Sequence, residues 1–268
     1  MSLLLTSKWD ADPKRRWVAR VTGRDGTHGV GREFLRSLDR VRRGRGDREG
    51  QQEGETMTPW QQHVERWKDC RACKLCENRQ HVVLAKGQLP CDLLLIGEAP
   101  GFSEDSDGVP FRGPAGLLLD DIVGEALSAH GRFGWVENGQ GKRREWISDS
   151  LRLAWTNLVC CLPLDEDGNK TGQPLPEEIR ACSERLVEFV RIADPQLIVC
   201  VGSIANDWLN SKMLRGITFD KDIPMIDITH PGAYLKPGVN PVQKSMGIKK
   251  SVVRIRNAVR EMLEVNVP

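Results

Sequence analysis

From residue 92 onward the chain alternates short apolar runs with longer segments of helical period, and this restricts its fold more than any single motif does. Parallel strands need a crossover long enough to hold a helix, so the pattern predicts an α/β protein built on a mostly parallel sheet. The runs place strands at 92–96, 153–159, 196–201 and 224–229, which makes four, and helices at 115–129, 176–192 and 247–265. Pro176 and the two glutamates behind it mark a helix start, where the helix dipole favours anions. Residues 130–150 are polar and read as a long connection before the second strand.

Ligands of open α/β sheets bind outside the carboxyl ends of the strands. The unusual residues of this chain fall there. Gly97-Glu98-Ala99-Pro100-Gly101 follows the first strand, Asn157 lies near the end of the second, and His230-Pro231-Gly232 follows the fourth. Three loops are thereby expected to converge on one crevice.

Lys and Arg number 39 against 37 Asp and Glu, a formal charge of +2, so no global field announces a polyanionic partner. The imbalance is local: residues 1–56 hold 13 basic and 9 acidic side chains. This leader is rich in Arg and Gly around 40–54 and reads as solvated or disordered, with a single domain over 57–268. An electrostatic arm for nucleic acid and a true start at Met57 are further readings of the same segment. No apolar run approaches the ~18 residues of a membrane helix, and Leu3 to Leu5 is too short for a secretory signal, so a cytoplasmic protein is expected. Membrane, collagenous and disulfide-knot classes are set aside.

Eight cysteines in such a chain point to a metal, a cluster or buried thiols. Cys70, Cys73 and Cys76 follow one another at spacings of two residues, and a tetrahedral site needs further ligands from elsewhere. Cys91 and Cys200 border or lie in apolar strands and read as small buried hydrophobes. The remaining candidates favour a two-plus-two set of Cys70, Cys73, Cys161 and Cys182. On spacing alone zinc and a 4Fe-4S cluster serve equally well.

The strings CRAC with KLCENR, LLLIGEAPGFSEDSDGVPFRGPAGLLLD, TNLVCCLP, PLPEEIRAC and THPGAYL, in that order over about residues 57–265, resemble the family 4 uracil-DNA glycosylases. These form the iron-sulfur branch of the uracil-DNA glycosylase superfamily. The resemblance implies a four-stranded parallel sheet flanked by helices and a 4Fe-4S cluster on Cys70, Cys73, Cys161 and Cys182, in preference to zinc. It implies a monofunctional hydrolase that removes a pyrimidine base, uracil first, from DNA. No nucleotide cofactor is expected, and a monomer is.

Roles follow by the same resemblance. Phe111 is similar to the aromatic that stacks on the extruded base, and Asn157 to the amide that reads its edge. Ala99 sits where pocket size matters. His230 resembles the histidine that hydrogen-bonds O2 of the leaving pyrimidine, Glu98 the carboxylate that holds the attacking water, and Glu104 a supporting carboxylate. Asp105 and Asp107 could share that task. Gly101, Gly113 and Gly116 would allow close approach to phosphates, Tyr234 and Leu235 would offer an apolar wedge, and Lys236 a phosphate contact.

Two departures leave alternatives open. The polar segment 130–150 and extra residues around DEDGNKTG could reshape the pocket mouth and admit a bulky modified cytosine, as in phage DNA, which would make the protein a defence enzyme. The loop between Cys161 and Cys182 contains no histidine, so a covalent adduct with DNA is not expected. An inactive iron-sulfur or zinc nucleic-acid-binding module is the competing class, and a redox or radical enzyme a third.

Overall fold

The computed structural model describes residues 7–9, 19–21, 57–138, 141–165, 167–168, 171–211 and 222–265. Its strands are β1 (Ser7–Trp9), β2 (Ala19–Val21), β3 (Ala85–Gly87), β4 (Leu93–Gly97), β5 (Arg132–Asn138), β6 (Gly141–Ile147), β7 (Leu153–Asn157), β8 (Leu197–Val201) and β9 (Met225–Ile228). Its helices are α1 (Pro59–Trp67), α2 (Phe102–Asp107), α3 (Pro114–Ala126), α4 (Pro176–Ala193), α5 (Ser203–Asn210) and α6 (Pro241–Val265). Short 3-10 turns span Lys74–Glu77 and Pro231–Leu235. β1 and β2 pair antiparallel with each other. The remainder of the basic leader lies outside the described residues, and with it the expectation of disorder there.

The four expected strands form a parallel core in the order β7-β4-β8-β9. Every residue of β4, β7 and β8 is buried, as strands covered on both faces must be. Alternate side chains serve two separate cores. Leu94, Ile96, Ala154, Ile198 and Cys200 pack with Trp60 and Trp67 of α1 and Phe189 of α4. Leu93, Leu95, Leu153, Trp155 and Val199 pack on the other face with Leu119 and Ile122 of α3 and Ile255 and Val259 of α6.

The sheet has five strands rather than four, and it is mixed. β3 runs antiparallel to β7 at the edge, pairing Ala85 with Thr156 and Gly87 with Ala154. Three residues reading Ala-Lys-Gly carry no strand pattern. They are held there because β7 would otherwise present an unpaired edge, and Gln88 N donates to Leu153 O at 2.9 Å to continue the ladder. Residues 130–150 are also not a plain connection. They form the β5-β6 hairpin, whose Phe133 and Trp146 rings pack edge-on, with Phe133 also meeting Trp155 of the sheet. Arg144 ties the hairpin to α3 through Asp121 at 2.7 Å.

α1 begins at a capping box, in which Thr58 and Gln61 exchange side-chain to backbone hydrogen bonds. α6 starts six residues before the expected 247. Asn240 Oδ1 accepts from Val242 N at 2.9 Å and so caps the earlier start. Among the described residues, no helix is long and apolar enough to cross a membrane.

Candidate active site and thiol pocket

Because β7, β4, β8 and β9 are parallel, their carboxyl ends share one edge of the sheet. Gly97 and Asn157, the last residues of β4 and β7, are register partners. A methyl group on Gly97 would stand 2.5 Å from Asn157 Oδ1 and 2.7 Å from Phe111 Cζ. The amide and the aromatic ring therefore meet over a backbone position that has no room for a side chain. Asn157 is 2% exposed, and its side chain makes no hydrogen bond among the described residues.

Phe111 has a φ of 55°, in the left-handed region that a bulky residue seldom occupies. Three contacts hold it there. Lys86 Nζ donates to Phe111 O at 3.1 Å, the next two backbone N–H groups are fixed by Glu104, and Gly116 of α3 packs directly on the Phe111 backbone. Such over-determination is what lets a strained residue persist.

The acidic residues of this loop differ in their commitments. Glu104 is buried, and its carboxylate accepts from Gly101 N at 3.0 Å, Arg112 N at 2.7 Å and Gly113 N at 2.6 Å. It closes the segment between β4 and α3 on itself. Asp105 accepts from Gln80 N at 2.9 Å and His81 N at 3.2 Å, and Asp107 pairs with Arg112 at 3.2 Å. Glu98 alone makes no side-chain hydrogen bond or ion pair among the described residues. Burial pushes its carboxyl above the usual range.

His230 follows β9 and opens the 3-10 turn. Gly232 N donates to His230 Nδ1 at 3.1 Å, so that nitrogen is the acceptor and the ring proton belongs on Nε2. Burial holds the ring below its usual pKa, opposed by the nearby Glu104 charge. The ring is bracketed by Gly202, at the end of β8 with a φ of 102°, and by Gly232.

The other expected site residues are placed as follows. The N–H groups of Gly101 and Gly113 already donate to Glu104, and Gly116 lies under Phe111, so these glycines serve the loop itself. Ala99 is partly buried and packs on the α1-α4 core. Tyr234 is not an exposed wedge. Its ring is buried against Gly247 of α6, and it leaves Leu235, 42% exposed, and Lys236 at the surface.

Below the same sheet end, Cys70, Cys73, Cys160, Cys161 and Cys182 line one small cavity with Arg79 and Arg185. Cys76 is not part of its wall, while Cys91 and Cys200 are buried in strand packing. Arg79 Nη1 donates to Cys161 Sγ at 3.3 Å and Nη2 to Cys70 O at 2.6 Å. Burial pushes the Cys161 thiol up to about 12 and raises Cys73 as well. Neither arginine emerges from the motif reading. A charged residue on the apolar stripe of α4 was the one available signal for Arg185.

Residues 85–251 match the uracil DNA glycosylase superfamily. The chain is 36% identical over 188 residues to the type-4 uracil-DNA glycosylase of Thermotoga maritima, a match covering 67% of this chain and 85% of that one. It is 31% identical over 180 residues to the type-4 uracil-DNA glycosylase of Sulfurisphaera tokodaii, covering 62% and 71%. It is 28% identical over 180 residues to that of Archaeoglobus fulgidus, covering 62% and 78%.

Proposed function

Since this chain belongs to the uracil DNA glycosylase superfamily, in its type-4 branch, we propose that it hydrolyses the N-glycosidic bond of an extruded uracil in DNA and leaves an abasic site. The observation that carries the reading is the meeting of the Asn157 amide and the Phe111 ring over Gly97. A base taken out of the stack loses a few kcal/mol of stacking and pairing, so its pocket must supply a face and an edge. Phe111 gives the face. Asn157 gives the edge, donating from its amide nitrogen to O4 and accepting from N3–H, a polarity that cytosine does not match.

Cleavage leaves negative charge on the base and cationic character on the sugar, and both must be met as they develop. His230 is arranged for the first. With Nδ1 accepting from Gly232, its Nε2–H points a neutral donor toward O2 of the departing uracil, and burial keeps the ring unprotonated. Glu98 serves the second, its uncommitted carboxylate orienting a water toward C1′. The C1′–N1 bond breaks with its electron pair on the base. Water adds its oxygen to C1′, and its proton passes by way of Glu98 to the uracil anion. Glu104 keeps the loop in register. No lysine is assigned as a Schiff-base nucleophile, so strand scission is not expected.

Cys70, Cys73, Cys161 and Cys182 would hold a 4Fe-4S cluster, which ties three chain segments together and transfers no electron in a hydrolysis. The donor set supports this. These four cysteines line one small cavity together with Cys160. Cysteine thiolates are the ligands that such a cluster takes. DNA is the partner; the exposed Leu235 would fill the gap left by the base and the exposed Lys236 would meet a phosphate, so binding weakens with salt.

The test is a base-release assay on matched oligonucleotides carrying uracil, hypoxanthine, mismatched thymine or bulky 5-substituted cytosines, with free bases identified by mass. Uracil is the expected product, from an unbroken strand. Release of a different base, or of none, overturns the reading.

A further inference from the structure

Arg185 carries a charge on the apolar stripe of α4 and is 1% exposed. Its Nη1 donates to Thr156 Oγ1 at 2.9 Å, and its Nη2 to Asn157 O at 2.6 Å and Leu158 O at 2.8 Å. Thr156 Oγ1 donates onward to Leu84 O at 2.7 Å. The guanidinium thus grips the last turn of backbone before and after Asn157. On its other side the same residue lines the thiol cavity, and its Nε has no partner among the described residues.

Burying a cation is costly unless an anion or a full set of acceptors meets it. No carboxylate forms an ion pair with Arg185 among the described residues, and the sulfurs of Cys160, Cys161 and Cys182, which share its cavity, are the groups that favour its charge. A planar fork also fixes direction. Holding two successive carbonyls sets the peptide plane that follows Asn157, and with it the line along which the Asn157 side chain leaves the strand.

We propose that Arg185 is the positioning residue for the base-reading end of β7, steadied on one side by a thiolate-ligated cluster and gripping the carbonyls of Asn157 and Leu158 on the other. The inference rests on the reading of Asn157 as the edge reader. It assigns to Arg185 the backbone support that aims the Asn157 side chain, and it links the filling of the thiol pocket to the selection of the base.

The test uses the full-length, cluster-loaded protein and the variants Arg185→Lys, Arg185→Met and Asn157→Ala. Lysine keeps the charge but cannot bridge two carbonyls and a hydroxyl. In Arg185→Lys, kcat for uracil release should fall on the order of tenfold to a hundredfold, the cost of a small misplacement. KM should change by less than about twofold, the mark of an interaction felt in the transition state. Discrimination between uracil and cytosine should narrow, and the visible absorption of the cluster should shift because the cation beside its sulfurs has moved. Arg185→Met should show a larger loss, and where it does not fold, Arg185→Lys decides alone. Wild-type kcat and discrimination in Arg185→Lys overturn the inference. So does a loss of activity that disappears when rates are expressed per cluster. If Asn157→Ala releases uracil at the wild-type rate, the edge-reader assignment fails. If Asn157→Ala is inactive while Arg185→Lys is unaffected, only the positioning role fails.

Discussion

The loop between β4 and α3 and the thiol pocket both join parts of the chain that are distant in sequence, but they are held together differently. In the loop, one carboxylate accepts three backbone N–H groups, a second accepts two from residues 80 and 81, and Lys86 secures Phe111 from the sheet edge. Every tie is supplied by the chain. In the thiol pocket, segments around Cys70, Cys161 and Cys182 come together with Arg79 as the bridging hydrogen-bond donor between the first two. Arg185 ties α4 to the end of β7 and the apolar core packs against the cysteines, while their sulfurs line a cavity. One region is closed by its own hydrogen bonds, and the other keeps a cavity lined by sulfur that the proposed cluster would fill.

The sharpest way to break this contrast is to remove the occupant. Stripping the proposed cluster by chelation under oxidation, or by Cys161→Ser, should destabilise the thiol region by up to about 10 kcal/mol, the scale of structural metal sites. Hydrogen exchange should then rise in residues 70–80 and the start of α4 before it rises in 97–116. Simultaneous loss of protection in both segments would show that the two regions are not independent. Next in size is Glu104→Ala. It leaves three N–H groups without their acceptor, at about 1–3 kcal/mol for each one that water does not reach. Urea denaturation should register the loss with the cluster colour intact, and Glu104→Gln should recover part of it.

His230→Ala should act on chemistry alone. Turnover should drop on the order of a hundredfold to a thousandfold, as for loss of a donor to a developing anion. The thermal midpoint should stay close to wild type, since only the bond from Gly232 is lost. A parallel fall in midpoint would move His230 from chemistry to loop support. The smallest effect is that of pH. Glu98 must be ionised, and burial raises its pKa above 4.5; His230 must be neutral, and burial lowers its pKa below 6.5. Between neutrality and pH 6.5 the rate should vary by less than about twofold, then decline as pH falls toward 4.5. A profile that loses half its rate near pH 7 would contradict a neutral, buried His230.

Much of the frame is legible in the residues. β4, β7, β8 and β9 lie within one or two positions of the apolar runs, because strands covered on both faces, as β4, β7 and β8 are, draw mainly on apolar residues. β3 and α2 are not legible. Ala85-Lys86-Gly87 is a strand because β7 needs a neighbour, and the polar run Phe102–Asp107 is a helix whose Glu104 and Asp105 are buried by distant N–H groups. Asn157, Phe111, His230 and Glu98 come from ordered motifs. The separation of Glu98 from Glu104 does not, because two glutamates six residues apart read alike until their partners are seen. Arg185 and Arg79 escape for a related reason, since what they bind is main chain and sulfur from other segments.

The hydrogen atom on Gly97 leaves no room for a methyl group between the proposed edge reader and the proposed stacking ring. Alanine there would push into both the amide and the ring, so the floor of the recess cannot be reshaped by small steps. Any drift in which bases are accepted must then begin elsewhere than at this position.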